Sequence, residues 1–173
     1  MSVADPNRVI VTGENPFIRL SPTVQPDVLY LKTDLVGGER RIYSDNIAMA
    51  RWLQSTVQGM LNPETANLET PVTDAEFGRS GDPRYFWTET VTTGDEDISL
   101  TWYDIGDPLL IHTQPNAQPG RPYGVCTVLV PAMGARLTVN GMQASGKPWA
   151  REREGRPFST CALAFSESWT EAR

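Results

Sequence analysis

Alternation with a period of two, the pattern of strands with one buried face, recurs in VLYLKTDL, in Arg84–Thr113 and in the final PFSTCALAFSESW. In VLYLKTDL, Leu29, Leu31, Thr33 and Leu35 share one side, and Gly37-Gly38 separates that run from ERRIY. Two glycines accept the positive φ of a primed turn, so a two-residue hairpin is predicted there. One stretch departs from the period. Between Asp45 and Leu61, the residues Ile47, Ala50, Leu53, Gln54, Val57, Met60 and Leu61 recur at helical spacing. Ser44 is placed to cap this helix, Asp45 puts a negative charge in its first turn, and Asn62-Pro63 ends it. Gln54, the polar member of the stripe, is expected at its edge.

Beyond the helix, a short strand is expected within Leu68–Phe77, FGRSGDPR reads as turn, and two successive hairpins occupy Arg84–Thr113. Residues 114–122, with three prolines, read as loop. YGVCTVLVPA is a valine-rich run typical of a strand buried on both faces, and ARLTV-NG-MQAS carries the Asn-Gly pair preferred in type I′ hairpins. GKPWAREREGRP reads as a charged loop and PFSTCALAFSESW as a final long strand. Residues 1–27, with four prolines, read as an arm laid over the core.

Strands and helices do not alternate, which argues against parallel βαβ construction. The predicted fold is mainly β: an antiparallel β-barrel or strongly curved sheet of lipocalin-like architecture, with one covering helix near residues 45–61. A hot-dog-like α+β fold and a two-sheet sandwich are the alternatives. The 173 residues fit one domain, with no internal repeat or linker.

Composition narrows the partners. A net charge of −6 supplies no cationic footprint for nucleic acid or an anionic membrane surface. MSVADPNRVIVTGENP lacks a basic region followed by an apolar run, and no stretch has the length of a membrane-spanning helix, so a cytoplasmic protein is expected. Cys126 and Cys161 sit in apolar runs and are expected as buried thiols. No nucleotide-binding, zinc-protease or hydrolase motif is present, and one histidine with two scattered cysteines makes a poor transition-metal set. Neither cofactor nor metal is expected.

Candidate chemistry concentrates in Arg84–Thr113. If Thr93–Glu96 is a turn, Trp87 faces Trp102, Glu89 faces Leu100, Val91 faces Ile98 and Tyr85 faces Asp104. If Ile105–Pro108 is a second turn, Trp102 also faces Ile111 and Thr101 faces His112. Cross-strand partners point to the same side. One face then holds Tyr85, Trp87, Glu89, Val91, Ile98, Leu100, Trp102, Asp104, Leu109 and Ile111; the other holds Thr-rich positions and His112. A carboxylate on such an aromatic wall loses hydration and can act as general acid or base. Glu89 and Asp104 are the candidate acid and base, Tyr85 a donor to a developing oxyanion, and His112 a further candidate because imidazole titrates near neutral pH. Trp87, Trp102, Leu100, Ile111 and Phe165 are the candidate substrate contacts. Against this stands a structural reading, in which the acids pair with Arg79, Arg84 or Arg136 and His112 is a hydrogen-bonded surface residue.

Three readings follow. The first is a cofactor-independent lyase, isomerase or cyclase acting on a small apolar, aromatic or polyketide-like substrate. The second is a binding or carrier protein for a small hydrophobic ligand, without catalysis. The third is a structural or assembly module whose aromatic face is an ordinary core. The long strands are also compatible with a homodimer.

Overall fold

A computed structural model of the protein describes residues 27–61, 63 and 66–171, the side chains at 57, 61, 165–169 and 171 excepted. The arm expected over residues 1–27 therefore lies, but for Asp27, outside the described residues.

The chain runs β1 (Val28–Lys32), β2 (Arg40–Ser44), α1 (Ile47–Ser55), α2 (Val57–Leu61), β3 (Val72–Asp74), β4 (Glu76–Asp82), β5 (Phe86–Thr92), β6 (Asp97–Ile105), β7 (Leu109–Thr113), β8 (Tyr123–Val139), β9 (Met142–Gln143), β10 (Ala150–Arg153), β11 (Arg156–Ser159) and β12 (Ala162–Glu171). Among the described residues no helix is long and apolar enough to cross a membrane.

The strands form a three-stranded sheet in the order β1-β2-β3, a seven-stranded sheet along β12-β8-β6-β5-β4 with β7 and β9 also on β8, and a separate β10-β11 hairpin. All pairings of the large sheet are antiparallel, as expected, whereas β3 runs parallel to β2. Among the described residues β4 and β12 end the large sheet without pairing to each other, so these strands do not close a barrel. The arrangement is a stack of two sheets. Leu29, Leu31 and Tyr43 of the small sheet are buried in one cluster with Val91, Ile98, Leu100, Trp102, Leu137 and Leu163 of the large one. On the other side of the small sheet, Val28, Tyr30 and Ile42 pack with Ala50 and Leu53 of α1. Alternation explains both layers, because neighbouring residues of β1 point to opposite faces and both faces are covered.

Helix and turns differ from the sequence pattern in instructive ways. Asn46, not Ser44, caps α1, accepting from the Met49 N–H at 3.1 Å. Ser44 is buried and donates to the Asp27 carbonyl at 2.7 Å. The helix breaks at Thr56, whose hydroxyl donates to the Trp52 carbonyl at 2.6 Å while its own N–H goes to Leu53. Gln54 is fully buried rather than at the edge: its amide donates to the Asn67 carbonyl and its oxygen accepts from Arg51 at 2.8 Å. Ile47 faces solvent instead.

Gly37 and Gly38 do adopt positive φ, of 72° and 74°. They close a longer connection, because Thr33 caps a short 3-10 turn over Asp34–Val36. Asn140-Gly141 forms the expected two-residue hairpin, with Thr138 opposite Gln143 and φ of 50° and 78°. Glu154-Gly155, read as charged loop, makes a second such turn between β10 and β11. FGRSGDPR, read as turn, is most of β4. Its glycines are tolerated there because, among the described residues, β4 pairs on one side only. The final run is two strands, broken at Thr160-Cys161, with a register shift between Ala164 and Ser166.

The largest departure is at Ile105–Pro108. It is not a turn. Both β6 and β7 pair with β8, Ile105 opposite Ala132 and Leu109 opposite Leu129, so the chain continues along one side of the 17-residue β8. The Gly106 N–H reaches the Pro131 carbonyl at 2.8 Å across the kink. The true reversal is the proline-rich loop before β8.

Candidate ligand-binding site

The first hairpin has the register expected from its turn: Trp87 opposite Trp102, Glu89 opposite Leu100, Val91 opposite Ile98. Thr93 makes the turn, its N–H donating to the Glu96 carbonyl and its hydroxyl accepting from the Asp95 and Glu96 N–H groups. The face carrying these residues lies against the small sheet. Val91, Ile98, Leu100 and Trp102 are buried there, with Trp87 half-buried beside them. Phe86, Tyr103 and Thr92 on the opposite face are exposed.

Glu89 is a carboxylate within this apolar layer, only 8% exposed. Its Oε1 accepts from the Trp87 indole N–H at 3.1 Å and lies 3.6 Å from Arg79 Nε. Arg79 stands opposite Glu89 on β4 and also pairs with Asp27, at the start of β1. The ion pair weighed from the sequence thus forms with Arg79. At the turn before β6, Glu96 pairs with Arg41 and accepts from the Tyr43 hydroxyl at 2.7 Å. Burial, and then the Glu96 carboxylate, push the Tyr43 phenol up to about 12. The guanidinium of Arg41 is held above its ordinary value, first by Tyr43 and against a desolvation cost. These two ionic clips fasten the small sheet to the hairpin, one midway along β5 and one at the turn before β6. Arg79 was legible as a counterion but its strand was not, and nothing in the sequence signalled the Tyr43–Glu96 contact.

Trp102 is 6% exposed, and its Nε1 meets no hydrogen-bond partner among the described residues. The indole does stand against the Cys161 thiol, a weak acceptor; burial drives that thiol up to about 12, and the indole opposes the shift. Thr127 Oγ1 is likewise buried without a partner among the described residues.

The remaining candidates do not converge here. Asp104 adopts φ of 53° and is exposed. Its left-handed backbone resets the strand's alternation: Trp102 and Ile105, three apart, both face the core, as do their partners Ala135 and Ala132. Asp104 is thereby turned away from the wall it was expected to join. Tyr85 lies in the turn before β5, 68% exposed, with the Arg84 guanidinium 5.6 Å from its ring centre. Ile111 is buried, but with Leu109 and Phe158 in a separate cluster. Leu129, opposite Leu109, belongs to that cluster while its neighbours Val128 and Val130 belong to the main core, so Ile111 sits on the reverse face of the sheet. His112 is exposed and stands opposite Cys126 on β8, not opposite Thr101. Cys126, expected to be buried, is exposed too. Phe165 falls on β12 with its side chain outside the described residues. Arg151, Arg153 and Arg156 lie on the exposed β10-β11 hairpin, Arg153 over the Phe158 ring at 5.8 Å.

What the structure assembles is therefore Glu89, Trp87, Trp102 and Leu100. A carboxylate already engaged by an indole and a guanidinium is suited to holding an orientation. Compared with protein-family models, curated proteins and solved structures, the chain matches none.

Proposed function

We propose that the protein binds a small, flat, apolar ligand carrying one hydrogen-bond acceptor, between the two sheets at the Trp87–Trp102 end. The observation that carries this reading is the buried indole N–H of Trp102, which has no oxygen or nitrogen acceptor among the described residues. A buried donor left wholly unmatched costs about 1–3 kcal/mol; the Cys161 sulfur, a weak acceptor, offsets only part of that, and a ligand carbonyl or ether would recover the rest. Trp87 supplies a second aromatic surface, and Glu89 and Arg79 fix its ring. In this reading the large sheet curves over the small one as a half-barrel would, leaving the Trp87 end as the entrance.

The acid–base enzyme reading would rest on Glu89 alone, because Asp104, Tyr85 and His112 lie away from it. Binding without turnover is the simpler use of the arrangement.

Tryptophan fluorescence and thermal shift, measured against quinoline, naphthol and anilinonaphthalene sulfonate, each of which offers an acceptor, test the proposal. At least one probe should give a saturable change with Kd below about 100 µM and raise Tm as mass action requires. Trp102→Phe should weaken that probe about tenfold, the equivalent of one modest hydrogen bond. Absence of saturable binding by all three at about 1 mM, where even a Kd of that order registers, overturns the reading.

A further inference from the structure

We propose that Cys126 and His112 form an imidazole-assisted thiol nucleophile on the exposed surface of the large sheet, a site for capture of low-molecular-weight disulfides. The two residues are 14 positions apart in sequence, and the β7-β8 register sets them directly opposite one another. Directly opposed residues of an antiparallel pair share a face, with Cβ atoms about 4.5–5.5 Å apart. Both are exposed, so an electrophile reaches the sulfur without opening the fold. Next along the same face is the pair Leu110 and Val128. Leu110 is 63% exposed, an apolar ledge against which the organic part of a disulfide can rest. On the other side of β8, the register partners of Cys126 and Gly124 are Ser168 and Thr170, neither of which ionises. Among the described residues, His112 is thus the ionisable group set against this thiol from the flanking strands.

The second cysteine supplies the contrast. Cys161 is fully buried, and desolvation drives its thiol up to about 12. Thiolate is the nucleophilic form, and a neighbouring base or cation promotes it. One cysteine is equipped to react and the other to stay inert.

The step balances without an outside oxidant. His112 takes the thiol proton, and the Cys126 thiolate attacks one sulfur of the disulfide RSSR. A Cys126–S–SR bond forms as the S–S bond breaks, and the departing RS⁻ takes the proton back from the imidazolium. Two sulfurs exchange partners with no net redox change.

The test uses the full chain and the aromatic disulfide 5,5′-dithiobis(2-nitrobenzoate), whose released thiolate is coloured. The native protein should release one equivalent rapidly, and the unfolded protein two. Cys126→Ser should abolish the rapid phase. His112→Ala and His112→Gln, both at an exposed position, should keep the wild-type circular dichroism and react at least about threefold more slowly at pH 7, a modest factor because nucleophilicity falls as thiolate fraction rises. If both variants match the wild type in rate, or if Cys161 reacts as fast as Cys126, the proposal is overturned.

Discussion

Glu89 and Tyr43 are polar side chains that join the two sheets, and each has a measurable consequence. Glu89→Gln keeps the side-chain volume and removes the charge facing Arg79 and the Trp87 N–H. A fully buried pair broken in this way costs several kcal/mol. The Arg79 side chain is 28% exposed, so the expected loss is about 1–3 kcal/mol, seen as a lower urea midpoint with unchanged slope. Tyr43 contributes to the alkaline limit. Its folded phenol is raised to about 12 from 10.0, by desolvation first and Glu96 second. The folded state therefore holds this proton more tightly than the unfolded state. The associated stability is complete below pH 10.0 and is lost as pH rises toward about 12. Cys161, raised to about 12 from 9.0 by burial, adds a loss of the same sign beginning lower. The difference in tyrosinate absorbance between wild type and Tyr43→Phe should show the Tyr43 phenol ionising with a midpoint near 12, and Glu96→Gln should move it down.

At the scale of elements, the helix and the β6-β8 pair make contrasting predictions. Leu53 of α1 is fully buried against the small sheet, so Leu53→Ala should cost about 2–5 kcal/mol, whereas Ile47→Ala on the exposed side should stay within about 0.5 kcal/mol. On the outer face, Gly134 lies directly opposite Tyr103, and a Cβ there would come within 2.0 Å of the tyrosine ring. Gly134→Ala should therefore destabilise the wild type and do so less in a Tyr103→Ala background, a coupling that a double-mutant cycle isolates. The same elements show what a local reading can reach. The β5-β6 register was legible because Thr93–Glu96 closes it with its own hydrogen bonds and the alternation on both strands agrees. The β6-β7 relation was not. Gly106-Asp107-Pro108 has the composition of a turn, yet β8, on the far side of the proline-rich loop, holds both strands on one side of itself. The backbone conformation of Asp104, which carried that acid out of the candidate site, belongs to the same kink. Residues whose placement depends on a distant strand went astray: Asp104, Ile111 and His112. Those fixed by the local hairpin, Trp87, Glu89, Leu100 and Trp102, stand where the alternation put them.

The whole molecule is a helix laid on a small sheet that is laid on a large one. The near-continuous apolar run of β1 fits its place in the middle layer, covered by the helix on one face and by the large sheet on the other. Two ionic clips, Asp27–Arg79–Glu89 midway along β5 and Arg41–Glu96–Tyr43 at the turn before β6, hold the sheets together. Between them the facing surfaces are apolar, and the Trp102 indole N–H is the polar group left without an oxygen or nitrogen acceptor among the described residues. The central claim is that a ligand acceptor completes it. Nitrogen-15 spectra of the five indole N–H groups, assigned by single substitutions, test this most directly during titration with a probe that binds. The Trp102 indole proton should move downfield to a saturating limit while the Trp87 indole, already donating to Glu89, moves little. A Trp102 resonance that stays fixed while that probe saturates elsewhere would contradict that claim.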